Sequence, residues 1–409
     1  MKMKKVKVIT IAAILMMIAG INKINATDIY VEENGFAGAY TTIGAACNAA
    51  HNGDRILVVP RAFNSHYYET STINLPYHCE MLSAVPGQRF IVYCQNVNFN
   101  MGTGSMISMA AIYFISPPNT NSIGYNQGDS IGIINCLIDN GSMYGGFGVH
   151  FDNDTIYGGN VYFIGGRISG CYVAGRLVFT LPRLLYIYTG IYDTLFVVGN
   201  SITNGIYDAA NSAISSYVYI ANNYISSSGI KLYYLIGGSG MNTIINNTIF
   251  NSGISLLSSN VIVNLNISNN LLFIYPAIGS YTAISLFNTP PSAISKISYN
   301  FVNYNNSSSN YTFASGFTND GTNVITSNTE IDAQGQLIPG SDAINGGDPS
   351  GYYLNLDLTR NSAGCYGGSY SMSNFNTPGI GNPRVLFMTA PREVFSTQPV
   401  GISADGVAK

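Results

Sequence analysis

His150, Asp152 and Asp154 alternate along the chain, so on an extended strand all three side chains project to one side. Arg167, Arg176 and Arg183 follow, and then Asp193. These residue types suit chemistry on a polysaccharide. Glycoside hydrolysis places two carboxylates across the scissile bond. A lyase uses a base such as arginine together with a group that neutralises the uronate. Ca²⁺ would serve that second purpose, because it is a hard cation that takes oxygen ligands, and Asp152 and Asp154 are the pair that could hold it. The seven residues are thus the candidate catalytic set, with Ca²⁺ as the one cofactor they suggest. The simpler reading is a solvated loop at the turn-like Asn153-Asp154-Thr155, with arginines neutralising nearby acids, because structural ion pairs make such clusters too.

Elsewhere the chain is poor in acid–base groups. Between Asp208 and Asp320 there is no Asp, Glu, Arg or His, only Lys231 and Lys296. Carboxylate catalysis from that stretch is excluded. Tyrosines offer a binding surface instead. Tyr186 and Tyr188 alternate, as do Tyr217 and Tyr219, and Tyr233 stands as far before its repeat asparagine as Tyr186 does. Such rings stack on sugars when exposed; tyrosine is also simply a good strand former with a polar tip. No serine sits in a strand–turn–helix elbow, and the six cysteines show no CxxC spacing for zinc. Cys136 and Cys171 lie in apolar runs and read as buried small hydrophobes, while Cys79 and Cys94 are an open disulfide alternative.

Any such site needs elements to carry it, and these are legible as a repeat. Asn200, Asn223, Asn247, Asn270 and Asn300 open similar segments, in steps of 23, 24, 23 and 30. A period of this size marks a stacked repeat architecture. One turn of about 23 residues holds three short strands and three bends, and turns stack at about 4.8 Å. Asparagine at one place in every turn forms an amide ladder along the axis and tolerates the left-handed corner. The expected fold is therefore all-β, a right-handed parallel β-helix. The step of 30 is read as a longer loop near Thr289-Pro290-Pro291. Asn135-Cys136 and Gly166-Arg167 fit less well, at spacings of 31 and 34, so the stretch from about Asn96 to Asp208 reads as irregular.

Near the beginning, Ile43, Ala46, Cys47 and Ala50 recur at helical spacing, with Thr41 or Thr42 before them and Gly53 after. That predicts a short capping helix over the open end of the solenoid. Before it, Lys2, Lys4, Lys5 and Lys7 precede an apolar run from Val8 to Gly20, with Ala26 beyond. A basic start, a run too short to span a bilayer and a small residue make a secretory signal over 1–26. The mature protein would then be exported, to the outside or the cell surface, with no membrane span. Of 17 basic side chains the signal takes five, which leaves 12 against 20 acidic ones. Nothing remains that would track a phosphate backbone, so nucleic acid is excluded as a partner. Charged residues are only 9% of the chain, replaced by Gly, Asn, Ser, Tyr and Ile, as befits a turn-rich β-protein with uncharged faces.

Ser341-Asp342-Ala343-Ile344-Asn345-Gly346-Gly347 and then Asn355-Leu356-Asp357-Leu358-Thr359-Arg360-Asn361-Ser362-Ala363-Gly364-Cys365-Tyr366-Gly367-Gly368 resemble the closing motif of the choice-of-anchor Q family of surface β-helix proteins. The stretch from Tyr30 to Pro60 resembles their opening. Leu358, Ser362 and Cys365 depart from the family pattern, where Gly, Asp and Ala stand. The resemblance implies a capped, pectin-lyase-like β-helix at the cell surface and no particular reaction. No polygalacturonase or pectate lyase motif is matched. The division expected is a signal over 1–26, a solenoid with its cap over 27–345, and a closing motif with tail over 346–409, in which Val385-Leu386-Phe387-Met388 reads as a strand. A scaffold or adhesin-like module that binds glycan or another surface molecule is the leading function; a divergent polysaccharide lyase or hydrolase is the alternative.

Overall fold

The computed structural model describes residues 26–375, apart from 63–64, 76–77, 101–105, 127–129, 145–148, 164, 180–193, 209–216, 234, 236, 258–261, 275–280, 305–310, 316, 318–319 and 328–330, together with 384–389 and 403–407. The signal predicted over 1–26 lies outside these residues but for Ala26.

The chain forms a parallel β-helix. Twelve strands, from Asp28–Val31 to Lys296–Ser298, pair in parallel as one sheet. The remaining solenoid strands make a second and a third face, which join where Ile112–Asn126 and Leu137–Tyr144 run through the bend. Parallel strands in one sheet need crossovers, and the hand of such crossovers is right-handed. Every coil sends alternate side chains inward, so Ile and Val stack on their like. Ile220, Ile244 and Ile267, for example, are register partners and all buried.

A two-residue corner follows each strand of the first sheet from Ser130–Ile134 to Lys296–Ser298. Its first residue is left-handed: Asn135, Asn153, Gly170, Gly199, Asn222, Asn246, Asn269 and Tyr299 all have φ between 52° and 68°. Its second residue points inward. There Asn200 donates its backbone N–H (3.0 Å) and its amide (2.9 Å) to Asn223 Oδ1. Asn223 does the same to Asn247, Asn247 to Asn270, Asn270 to Asn300, and Asn300 to Asn323. Each amide also donates to a carbonyl of the preceding coil, such as Ile168 for Asn200 and Val197 for Asn223. These polar groups are fully buried and fully used, which is what makes the ladder stabilising.

The structure revises two readings of the repeat. Corner contacts recur after 18, 17, 29, 23, 24, 23, 30 and 23 residues. The irregular middle therefore contains two short coils, of 18 and 17 residues, ahead of a longer one of 29, and Gly166-Arg167 belongs to a strand, not to a corner. The extra length of the 30-residue coil also sits elsewhere than Thr289-Pro290-Pro291. Six residues separate Thr248 from Ile254, whereas thirteen separate their register partners Leu271 and Ile284.

The helix α1 (Ile43–Ala49) packs on the first coil with Ile43, Ala46 and Cys47 buried. Thr42 caps it by accepting from the Ala45 N–H, and the inward carboxylate of Glu69 accepts from Ile43 (2.6 Å) and Gly44 (3.1 Å). All six cysteines are free and buried, Cys79 and Cys94 included.

The closing segment does not end the solenoid; it returns along its side. The first asparagine of each corner doublet, pointing outward, holds it. Asn222 donates to the carbonyls of Cys365 (3.0 Å) and Gly367 (2.5 Å). Asn246 and Asn361 exchange amide hydrogen bonds at 3.0 and 3.1 Å. Asn269 Oδ1 accepts from the Asp348 N–H, whose carboxylate pairs with Lys296. Doublets such as Asn246-Asn247 thus divide the work, one amide for the strap and one for the ladder. The strap ends at Phe375 against Gly170 and Gly199, where a Cβ on Gly199 would stand 2.1 Å from the ring. Beyond it, Arg384–Thr389 pairs antiparallel with Ser403–Val407.

Candidate functional site

His150 and Asp152 lie on Val149–Asp152, and Arg167 and Ser169 on the adjacent Gly166–Ser169, all facing outward from the first sheet. The register sets His150 beside Arg167 and Asp152 beside Ser169. Diagonally, Arg167 grips Asp152 with two hydrogen bonds, Nε to Oδ1 at 3.0 Å and Nη2 to Oδ2 at 2.6 Å, and the Ser169 hydroxyl donates to Oδ1 as well. Both ionic side chains are at least 95% buried. A bidentate pair with this much burial has its lone pairs and N–H groups largely spent.

Asp154 is not on that face. Alternation along a strand would have placed it there, but Asn153 turns the chain at φ 60° and sends the next side chain inward. Asp154 occupies the ladder position in its coil, between Cys136 and Cys171. Its Oδ1 accepts the Cys136 N–H at 2.7 Å, as asparagine Oδ1 does lower down. Its Oδ2 stands where the others carry an amide donor, buried and without a hydrogen-bond partner. Burial first, with the neighbouring Asp152 charge adding to it, pushes this carboxyl well above the usual carboxylate range. Asp152 and Asp154 thus sit on opposite sides of the sheet wall, and together they form no cation site. Among the described residues no group of three or more His, Cys, Asp or Glu could hold a metal ion.

The rest of the predicted set disperses. Arg176 lies at the bend between the second and third faces, its guanidinium 5.1 Å over the Tyr207 ring. Arg183 and Asp193 lie outside the described residues, as do Tyr186 and Tyr188. Tyr217 packs where Gly238 and Gly240 leave room for its ring. Tyr219 is under the strap, 5.7 Å from Phe196 and 5.9 Å from Tyr370. Tyr233 stands at an edge of the third face, its N–H donated to Asp208. These three rings do not form one row.

Two features were not singled out in the sequence. Asp208 points into the core in register with Phe179, and burial raises its carboxyl to about 7 against the Tyr233 N–H. Its charge could not be placed without the register. The rings that do cluster, exposed Tyr68, Tyr157 and Tyr172 with half-buried Tyr93, belong to the second face; their positions follow no single spacing because they sit on coils of unequal length.

No family model matches the chain, and no curated protein matches it. Among solved structures it is similar to that of the PL6 family alginate lyase AlyGC, with a TM-score of 0.35 at 14% identity over 81% of this chain. The match spans 57% of that chain. The parallel β-helix rests on the strand register described above.

Proposed function

We propose that this protein is a non-catalytic β-helix scaffold that works outside the cell or at its surface and binds a glycan. One observation carries the reading: the acids nearest to a catalytic constellation are already committed to structure. Asp152 is neutralised and held by Arg167 and Ser169, and Asp154 fills a rung of the internal ladder. The export half of the proposal is supported by the basic and apolar run from Lys2 to Gly20. Surface display is supported by the likeness of the closing segment to a surface-protein motif. The strap is integral to the side wall, so an attachment made beyond it would leave the solenoid intact.

A second reading keeps one observation in its favour. His150 and Arg167 are register neighbours on the outer face, half-buried and buried, and a divergent lyase would use such a base beside a uronate. Incubation with acidic and neutral polysaccharides, with and without Ca²⁺, separates the two. Scaffold function predicts retention with no reducing ends and no unsaturated uronides. Product formation that disappears in Arg167→Lys would establish the lyase reading instead.

A further inference from the structure

We infer that the open half of the second face, a two-column strip of aromatic side chains running along the solenoid axis, is the glycan-binding site, and that its ligand is an uncharged polysaccharide chain. The inference rests on the glycan-binding reading and adds a location and a ligand class.

Register defines the strip. Tyr68 pairs with Tyr93, Tyr93 with Ile115, Ile115 with Asp139, and Asp139 with Tyr157. In the neighbouring column Tyr113 pairs with Leu137, Leu137 with Thr155, and Thr155 with Tyr172. Tyr68 is 63% exposed, Tyr157 45% and Tyr172 38%. The rings brace one another: Tyr68 and Tyr93 are 5.4 Å apart, Tyr157 and Tyr172 5.6 Å, and the His66 ring lies tilted 4.2 Å from Tyr68. Six coils at about 4.8 Å give a platform roughly 24 Å long. Ring spacing along it is comparable to the advance per residue of an extended pyranose chain.

The same face shows what covers such rings elsewhere. Further along, Tyr224, Phe250, Phe273 and Phe301 continue the aromatic surface, with Phe250 and Phe273 stacked at 4.7 Å. There the returning segment lies on top, Gly335 against the Tyr224 ring and Ala343 and Ala363 over Phe301 and Leu271. Where peptide covers the face the rings are mostly phenylalanine. Where it stays open every large outward aromatic among the described residues is tyrosine, which combines a flat apolar body with a polar tip in water. That combination suits a ligand with apolar ring faces and hydroxyl edges, namely a sugar.

Charge selects the class. Of the outward side chains described on those strands, Asp139 alone is charged, and the Tyr113 hydroxyl sits 3.5 Å from its carboxylate. A carboxylate in mid-strip accepts hydrogen bonds from the hydroxyls of a neutral sugar and repels a uronate. No outward arginine or lysine on these strands would repay an anionic chain.

The test is titration calorimetry of the full protein with cellohexaose, mannohexaose and maltohexaose, and with hexagalacturonate as the charged control. Wild type should bind at least one neutral hexamer and bind hexagalacturonate more weakly. Tyr157→Ala and Tyr172→Ala should each weaken binding about threefold to tenfold, while Tyr157→Phe keeps it, with melting temperatures unchanged. Failure of all three neutral hexamers to bind overturns the inference, as does binding of hexagalacturonate at least as tightly. Neutral binding that survives Tyr68→Ala/Tyr157→Ala/Tyr172→Ala overturns the location and leaves the glycan-binding reading standing.

Discussion

Replacing Asp154 by asparagine should stabilise the protein, because it exchanges a buried carboxyl for the amide that the ladder uses further along. From Asn200 onward the ladder position is occupied by asparagines that use both ends of the amide. Asn200, Asn223, Asn247, Asn270 and Asn300 each donate to a carbonyl of the preceding coil at 2.9 to 3.0 Å. Asp154 matches them at Oδ1 and fails at Oδ2, which is buried without a hydrogen-bond partner. Supplying the donor removes one unsatisfied buried oxygen, worth about 1 to 3 kcal/mol. The sign with pH follows from linkage. The folded pKa is raised above 3.8, so above about pH 4 the folded state binds more protons than the unfolded one, and stability falls as pH rises. The gain from Asp154→Asn is therefore largest at pH 8 and shrinks towards pH 4. With a urea slope of about 3 kcal/mol/M, the midpoint at pH 8 should rise by about 0.3 to 1 M, read by far-ultraviolet circular dichroism. A lower midpoint at pH 8 refutes the ladder assignment. So does a Ca²⁺-dependent stabilisation of wild type that the variant loses, since that would make Asp154 a ligand.

Three further outcomes follow from the same contacts. Asn223→Leu deprives the Asn200 N–H and amide of their shared acceptor inside the core, and should cost about 2 to 5 kcal/mol in a denaturant titration; an unchanged midpoint would rule out the register. Arg167→Ala leaves Asp152 buried without its partner and should cost about 3 to 5 kcal/mol, much of it recovered in Arg167→Ala/Asp152→Ala; equal loss in single and double variants would refute the pairing. Asp208→Asn should flatten the pH dependence of stability. The wild-type carboxyl, raised to about 7, contributes stability below pH 4 that is lost as pH rises to 7, up to about 4 kcal/mol, and an unaltered pH profile would contradict its burial.

The solenoid was legible because asparagine is conspicuous and its ladder demands strict recurrence. The same rule hid the middle coils, whose corners use other residues. Asn135-Cys136, Asn153-Asp154 and Gly170-Cys171 are corners of the same geometry, a left-handed residue followed by a small inward one, on coils of 18 and 17 residues. Read that way, Asp154 belongs to the core and not to an outer cluster. Alternation misled because it holds only while a strand continues, and Val149–Asp152 ends one residue before the turn. The closing motif was visible as a motif; where it binds was not. Its receptors are the first asparagines of the doublets, and the repeat spacing does not say which segment an outward amide will hold. The tyrosine strip depends on register across coils of unequal length, which only three-dimensional pairing supplies.

The central claim, a scaffold that binds glycan without changing it, is tested most directly by incubating the full protein with a neutral and an acidic polysaccharide. The protein retained on each and the chain length of each polysaccharide afterwards are then measured. The account predicts retention on the neutral polymer, lost with the exposed tyrosines of the second face, and unaltered chain lengths for both. Shortening of either polymer by wild type, abolished by substituting Arg167, would contradict it.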